Sequence, residues 1–108
     1  MTDTELLEAA AKAAGLSSQG YEESRYGHFL GLSIREDNYP GGYTWNPLAN
    51  DGDALRLAVK LGLVIDTSRP SAAQPFKVHE YEQTSSSDIY AATRRAIVRA
   101  AASLTKQP

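Results

Sequence analysis

The sequence predicts a small α+β domain in which three helices alternate with pairs of short strands. Three segments carry apolar residues at helical spacing, and the segments between them alternate apolar and polar residues with the period of a strand. Glycine and proline clusters separate these segments, as turns require. The predicted order is therefore α-β-β-α-β-β-α, with a small antiparallel or mixed sheet of about four strands.

The composition is that of one ordinary globular domain. A chain of 108 residues buries roughly 65% of the surface that its unfolded form exposes, which is enough for one core. Hydrophobic residues make up 42% of the chain, but no apolar run approaches the about 18 residues that a membrane span needs. The chain has no cysteine, which excludes a disulfide framework and a thiolate metal site. We therefore predict a single domain over residues 1–108 and no membrane association.

The charge pattern favours a cytoplasmic protein that does not bind nucleic acid in general. The net charge is −2, whereas general nucleic-acid binders are usually basic. The chain begins Met-Thr-Asp-Thr-Glu, and a secretory signal would begin basic and continue apolar. We expect a soluble protein of the cytoplasm.

The first helix is predicted over about residues 3–14. Thr2 and Glu5 have the spacing of a capping box, in which each side chain bonds the other's backbone amide. Gly15 is the expected stop, and Leu16 can close a Schellman ending. The helix has one apolar side, which consists of Leu6, Leu7, Ala10, Ala11, Ala13 and Ala14.

The first pair of strands is predicted after a loop. Residues 17–27 are polar and glycine-rich, so we expect a loop with a short extended piece at Tyr21–Glu23. Residues 28–36 alternate with period two and indicate a strand with one buried face. Asp37–Gly42 is typical of a turn. Tyr43–Trp45 favours a strand that returns antiparallel to the first.

The second helix has the clearest boundaries. Asn50 or Asp51 is the expected N-cap, Asp53 places negative charge at the positive end of the helix dipole, and Gly62 ends the helix. Its apolar residues spread over roughly 200° of the helical wheel. We therefore expect this helix to be covered on more than one side or to lie deep on a sheet. Residues 63–65 follow as a short buried strand.

The last third of the chain is predicted to hold an edge strand and a helix. Residues 66–75 form a polar linker with two prolines, and residues 76–83 alternate clearly only at their start. Caps at Ser85–Asp88 precede a helix over about residues 89–104. One apolar face is expected from Ile89, Tyr90, Thr93, Ala96, Ile97, Ala100, Ala101 and Leu104.

Two blocks of this sequence resemble a known family. They are Trp-Asn-Pro-Leu-Ala-Asn-Asp-Gly-Asp-Ala-Leu-Arg-Leu-Ala-Val-Lys-Leu-Gly-Leu at 45–63 and Asp-Ile-Tyr-Ala-Ala-Thr-Arg-Arg-Ala-Ile-Val-Arg-Ala-Ala-Ala at 88–102. Both look like the phage ABA sandwich domain of small phage and prophage proteins; the N-terminal helix matches more loosely, and loops 17–27 and 66–75 are not covered. The resemblance implies a three-layer α-β-α sandwich, a phage or prophage origin and hence the cytoplasm of a host bacterium. It brings no established activity and no catalytic residues.

The candidate metal ligands have better structural interpretations. Asn50–Asp53 contains three oxygen-bearing side chains, but the ligand register of a calcium loop is absent, so capping of the helix is favoured. His28 and His79 are the only histidines and lack any short ligand spacing. We expect them at strand edges or on the surface, and we predict no metal.

No catalytic motif is present. The serines lie in no Gly-x-Ser-x-Gly elbow. Gly41 and Gly42 lack the lysine and helix that follow in a phosphate loop. An enzyme would need a pocket that brings His28, His79 and acidic groups together. We therefore expect a protein without catalytic residues or cofactor.

Two surfaces are candidates for interaction. Arg94, Arg95 and Arg99 lie on the polar half of the last helix, and with Arg56 and Lys60 they form either a basic patch or a solvated helix face. Tyrosines are numerous, and exposed tyrosines favour interfaces. The tyrosines considered for such a surface are Tyr21, Tyr26, Tyr39, Tyr43 and Tyr81, whereas Trp45 is expected to cover the core.

Three hypotheses follow for function. The first is a non-enzymatic accessory protein that binds a host or phage protein, for instance as a counter-defence inhibitor. The second is a nucleic-acid-binding accessory protein that uses Arg94, Arg95 and Arg99. The third is an enzyme whose pocket would bring His28, His79 and acidic groups together. A homodimer would account for the tyrosines and for the weakly patterned edge strand.

Overall fold

The computed structural model describes residues 2–36, 39–68, 70–73, 80–81 and 88–106. In these residues, the α+β class is confirmed. The elements in chain order are α1 (Asp3–Ala13), β1 (Ser17–Glu23), β2 (Phe29–Glu36), β3 (Tyr39–Trp45), α2 (Asp51–Leu61), β4 (Val64–Asp66), β5 (Ser71–Ala73), β6 (Glu80–Tyr81) and α3 (Ile89–Ser103), which a 3₁₀ turn at Leu104–Lys106 extends.

Local signals set the ends of α1 as predicted. The Thr2 hydroxyl accepts the Glu5 N–H at 3.1 Å, and the Glu5 carboxylate accepts the Thr2 N–H at 3.0 Å. That backbone hydrogen bond lowers the pKa of Glu5, because it favours the charged carboxylate. At the other end, the Leu16 N–H bonds the Ala11 carbonyl at 2.9 Å while Gly15 takes a positive φ of 74°. The capping box and the Schellman ending are therefore confirmed.

The strands form two antiparallel sheets, which differs from the single sheet of about four strands that we expected. Within the described residues, β1, β2 and β3 are neighbours in that order, and β4, β5 and β6 form the second sheet. The expected antiparallel pairing of β2 with β3 is confirmed, with Leu32 opposite Trp45. Over the described residues the order is α-β-β-β-α-β-β-β-α, so the predicted order of two strands in each half is not confirmed.

Two strands lie where the sequence predicted loops. β1 occupies most of the predicted loop 17–27, and β5 lies within the predicted linker 66–75. Their serine, glycine and alanine residues have weak strand preference, so the neighbouring strands that bond them decide the conformation. Residues 39–42 of the predicted turn at 37–42 belong to β3, and residues 37–38 lie outside the described residues. Of the edge strand predicted at 76–83, only Glu80 and Tyr81 are described, and they pair with β5.

Helix α3 joins the two sheets. It packs against α1 and α2 and against β4, β5 and β6, while α1 packs against β1 and β2. In the described part of the chain, α1 and α3 thus connect the sheets, whereas the expected sandwich placed one sheet between two helical layers. The helices described here include none that is long and apolar enough to cross a bilayer.

Burial of α3 extends almost around its circumference, and not along one face as predicted. Val98 lies outside the predicted apolar face yet has no exposed surface. Alanines at positions where α3 meets its neighbours allow close approach on several sides. Ile89 and Tyr90 were predicted to be buried but are exposed at the start of the helix. The buried residues are Ala92, Ala96, Ile97, Val98, Ala100, Ala101 and Ala102.

Helix α2 lies at the surface, so the prediction that it is covered on more than one side or lies deep on a sheet was wrong. Its buried face consists of Asp53, Ala54, Leu57 and Ala58. Leu55 and Val59 are exposed, and Val59 retains 72% of its accessible surface. The width of an apolar arc on a wheel does not tell which part of it a neighbour covers. Val64 in β4 is also exposed, although residues 63–65 were predicted as a buried strand.

Substitution of one valine in α3 and one in α2 tests whether α3 is the buried helix and α2 the surface helix. We expect Val98→Ala to lower the free energy of unfolding by about 2–3 kcal/mol, because it removes buried methyl groups and leaves a cavity. Val59→Ala is the matched control and should change it by no more than about 0.5 kcal/mol, since Val59 is exposed. Urea denaturation measures both values. Equal losses would contradict the central position of α3.

Candidate functional site

An open cleft of about 420 Å³ lies between the end of α1, the ends of β2 and β3, and α2. Its apolar lining comes from Ala14, Leu16, Trp45 and Leu57. Its polar lining comes from the sheet side through Glu36 and Tyr43, and from α2 through Arg56 and Lys60. The cleft combines an apolar surface with a few convergent polar groups, which is the usual character of a ligand site.

The end of β3 is held in place by a close approach to β2. Trp45 is buried, as predicted for a residue that covers the core, and its remaining surface lines the cleft. Gly31 in β2 has a φ of 142°, and a Cβ atom there would lie 2.5 Å from the Trp45 carbonyl oxygen. The Asn46 side-chain amide donates to the Leu30 carbonyl at 3.2 Å. A side chain at position 31 would displace this wall of the cleft.

Asp53 ties the end of β3 to the first turn of α2. One carboxylate oxygen accepts the Asn46 N–H at 3.0 Å, and the other accepts Arg56 Nη2 at 2.7 Å. The Asp53 N–H donates in turn to the side-chain oxygen of Asn50 at 2.9 Å, which confirms Asn50 as the N-cap. From the sequence, Asp53 was expected only to complement the helix dipole. Its buried position between two chain segments gives it a larger structural role.

The cation-loop interpretation of Asn50–Asp53 has no support in this geometry. The two carboxylate oxygens of Asp53 already accept hydrogen bonds, and the Asn50 oxygen caps the helix. No cluster of three histidine or acidic ligands exists among the residues that the structure describes. His28 is exposed just before β2, and His79 lies outside the described residues, so the hypothesis that the two meet stays a hypothesis.

Two arginines of α3, Arg94 and Arg95, form intramolecular ion pairs, so these two are not the solvated side chains that a polar half would present. Arg94 bonds Asp51 at 2.6 Å and the Leu48 carbonyl at 2.8 Å, and only 17% of its side chain is exposed. Arg95 is half-buried and pairs with Asp3 at 3.2 Å. Arg99 is exposed. The wheel placed these arginines away from the core, but the acidic first turns of α1 and α2 pack beside them.

The tyrosines that were predicted to form an interaction surface lie in different parts of the structure. Tyr21 and Tyr26 lie on the β1–β2 hairpin and are 59% and 79% exposed. Tyr43 is half-buried and lines the cleft. Tyr39 begins β3 opposite Glu36, and its side chain, like that of Tyr81, lies outside the described part.

Two further apolar residues accompany the hairpin tyrosines. Phe29 and Leu30 are exposed on the same hairpin, and the ring centroids of Tyr21 and Phe29 are 6.2 Å apart at an interplanar angle of 44°. We call Tyr21, Tyr26, Phe29 and Leu30 the hairpin patch. Phe29 and Leu30 were not predicted as surface residues, because the alternation of residues 28–36 indicated a strand with one buried face, whereas burial in β2 begins only after Leu30.

Comparisons with known protein families, with curated proteins and with solved structures each gave no match to this chain. The resemblance to the phage ABA sandwich domain therefore stays a prediction. The described features that could support a function are the cleft, the ion pairs and the hairpin patch.

Replacement of Asp53 tests its role at the base of the cleft. We expect Asp53→Asn to lower the free energy of unfolding by about 2 kcal/mol, because charged hydrogen bonds between two segments are lost. Glu23→Gln, at an exposed position of β1, is the control for removal of one negative charge and should cost less than about 0.5 kcal/mol. Thermal unfolding of both variants provides the comparison. A loss for Asp53→Asn no larger than that for Glu23→Gln would contradict this assignment.

Proposed function

We propose that this chain is a non-enzymatic accessory protein of a phage or prophage that binds a host or phage protein in the cytoplasm of a bacterial host. Inhibition of a host defence protein is one such role. The phage origin rests on the family resemblance of residues 45–63 and 88–102. The observation that carries the binding proposal is the exposed hairpin patch.

The hairpin patch has the composition of an interaction surface. Large aromatic side chains supply much of the binding energy at protein interfaces, and they lose little conformational freedom when they bind. A single exposed apolar residue needs no explanation, but several on one hairpin favour a binding role. Tyr21 and Phe29 are in ring contact, so part of the surface is already ordered before a partner arrives.

Acidic residues beside the hairpin patch suggest the chemistry of the partner. Glu22 and Glu23 follow Tyr21 directly, and Glu23 is paired with Phe29 across the ladder. Arg25 in the connecting turn offsets one of these charges. A partner with an apolar cavity and a basic rim fits this arrangement, because complementary charges speed encounter and fix orientation.

The ion pairs of α3 disfavour the nucleic-acid hypothesis. Arg94 and Arg95 already neutralise Asp51 and Asp3, so they offer less positive charge to phosphate groups. A gel shift at low salt that disappears in Arg94→Ala/Arg95→Ala would nevertheless support that hypothesis against our proposal.

Affinity purification from infected or lysogenic bacteria tests the proposal. We expect the wild-type chain to retain a specific protein and the Tyr21→Ala/Tyr26→Ala variant to lose it, with at least about 30-fold weaker affinity once the partner is purified. Glu22→Gln/Glu23→Gln should slow association and reduce its salt dependence.

Tyr90→Ala is the matched control. Tyr90 is 72% exposed but lies at the start of α3, outside the hairpin patch, so its loss should leave binding unchanged. A photo-crosslinker at position 26 should capture the partner, and one at position 90 should not. Equal binding by the hairpin variant, or repeated failure to retain any protein, would overturn the proposal. Light scattering measures the molar mass of the purified chain and so shows whether the partner is a second copy of this chain or a different protein.

A further inference from the structure

We propose that the cleft beside Trp45 is a binding site for a small zwitterion with an apolar side chain, of the kind that a free apolar α-amino acid represents. This inference is independent of the hairpin patch, whose residues do not line the cleft. It rests on the size of the cleft, its apolar lining and the charges on its two walls.

The size and lining of the cleft suit a small, partly apolar molecule. Its volume of about 420 Å³ lies near the lower end of the about 300–1,000 Å³ range of ligand pockets. Leu16 in the α1–β1 connection, Trp45 in β3 and Leu57 in α2 line the cleft with apolar atoms. An apolar side chain placed against them would leave water, which is the main source of affinity at such a site.

Charges of opposite sign lie on different walls of the cleft. Glu36 ends β2 on the sheet side, and Lys60 lies in the last turn of α2. Neither side chain makes an ion pair with another residue in the described part of the chain. A ligand that carries one charge of each sign can therefore meet both groups without displacing an internal partner.

Arg56 adds a fixed cation to the wall that holds Lys60. The two residues are one helical turn apart, and the Arg56 guanidinium is held at Asp53 by a 2.7 Å bond. That bond uses one of five N–H donors, so others remain for a ligand carboxylate. The helix wall therefore suits the carboxylate of the ligand, and Glu36 suits its ammonium group.

The balance of charge distinguishes this ligand class from a simple anion. Arg56 already pairs with Asp53, so among the described residues that line the cleft Lys60 and Glu36 carry the two charges without an ion pair. A ligand that is only an anion would be repelled by the Glu36 carboxylate, and a ligand that is only a cation would be repelled by the Lys60 ammonium group. A zwitterion satisfies both groups, so it should bind more tightly than either analogue.

Trp45 is the only tryptophan in the chain and lines the cleft, so its indole N–H resonance reports on occupancy. We expect titration with L-phenylalanine to shift this resonance saturably. N-acetyl-L-phenylalanine lacks the ammonium group and L-phenylalaninamide lacks the carboxylate. Each should bind about two- to five-fold more weakly, as the loss of one exposed ion pair predicts.

Charge-removing variants identify which wall meets which group. Glu36→Gln should weaken L-phenylalanine and L-phenylalaninamide but leave the N-acetyl analogue unaffected or improved. Lys60→Gln should weaken L-phenylalanine and the N-acetyl analogue but spare the amide. Glu23→Gln and Lys12→Gln are the controls. They remove one negative and one positive charge at residues that do not line the cleft, and they should leave the affinity for all three compounds unchanged.

Two results would overturn the inference. One is the absence of a saturable shift of the Trp45 resonance with L-phenylalanine at millimolar concentration. The other is equal binding of the zwitterion and its two analogues, which would show that charge is not recognised. The analogue series uses the unaltered chain, so it remains decisive even if a substitution disturbs folding.

Discussion

The burial of α3 on nearly all sides is the constraint on which the rest of the structure depends. Ala96, Ala100 and Ala101 carry side chains small enough for α1, α2 and β5 to approach the helix together. Larger residues at these positions would force the neighbouring elements apart, and the two sheets would lose their common support. Val98, on another side of the same helix, is also fully buried. The fold is thus organised around its last helix.

Ion pairs and hydrogen bonds hold α1 and α2 against α3 and thereby position the walls of the cleft. Arg94 links α3 to the start of α2 through Asp51 and the Leu48 carbonyl, and Arg95 links it to the start of α1. Asp53 then connects α2 to the end of β3. The gap that remains between α2 and the first sheet is the cleft that Trp45 lines. Its walls are therefore positioned by the same contacts that hold the helices.

Features that depend on a few adjacent residues could be predicted from the sequence, whereas features that depend on distant neighbours could not. The capping box at Thr2 and the glycine stop at Gly62 are local, and the structure confirms them. β1 is a strand only because β2 bonds it, so its polar sequence predicted a loop. The exposure of Phe29 depends on where along β2 the core ends. The hydrogen bond that joins Asp53 to the end of β3 depends on which segment lies beside α2.

Native-state hydrogen exchange tests the central position of α3 most directly. Amides of residues 96–102 should exchange only through global unfolding, because every neighbouring element must separate before this helix opens. Amides of α2 near Val59 should exchange through a smaller opening, since one side of that helix faces solvent. We expect an opening free energy for α3 equal to the global value and a lower one for α2. Protection of α2 equal to or greater than that of α3 would contradict it.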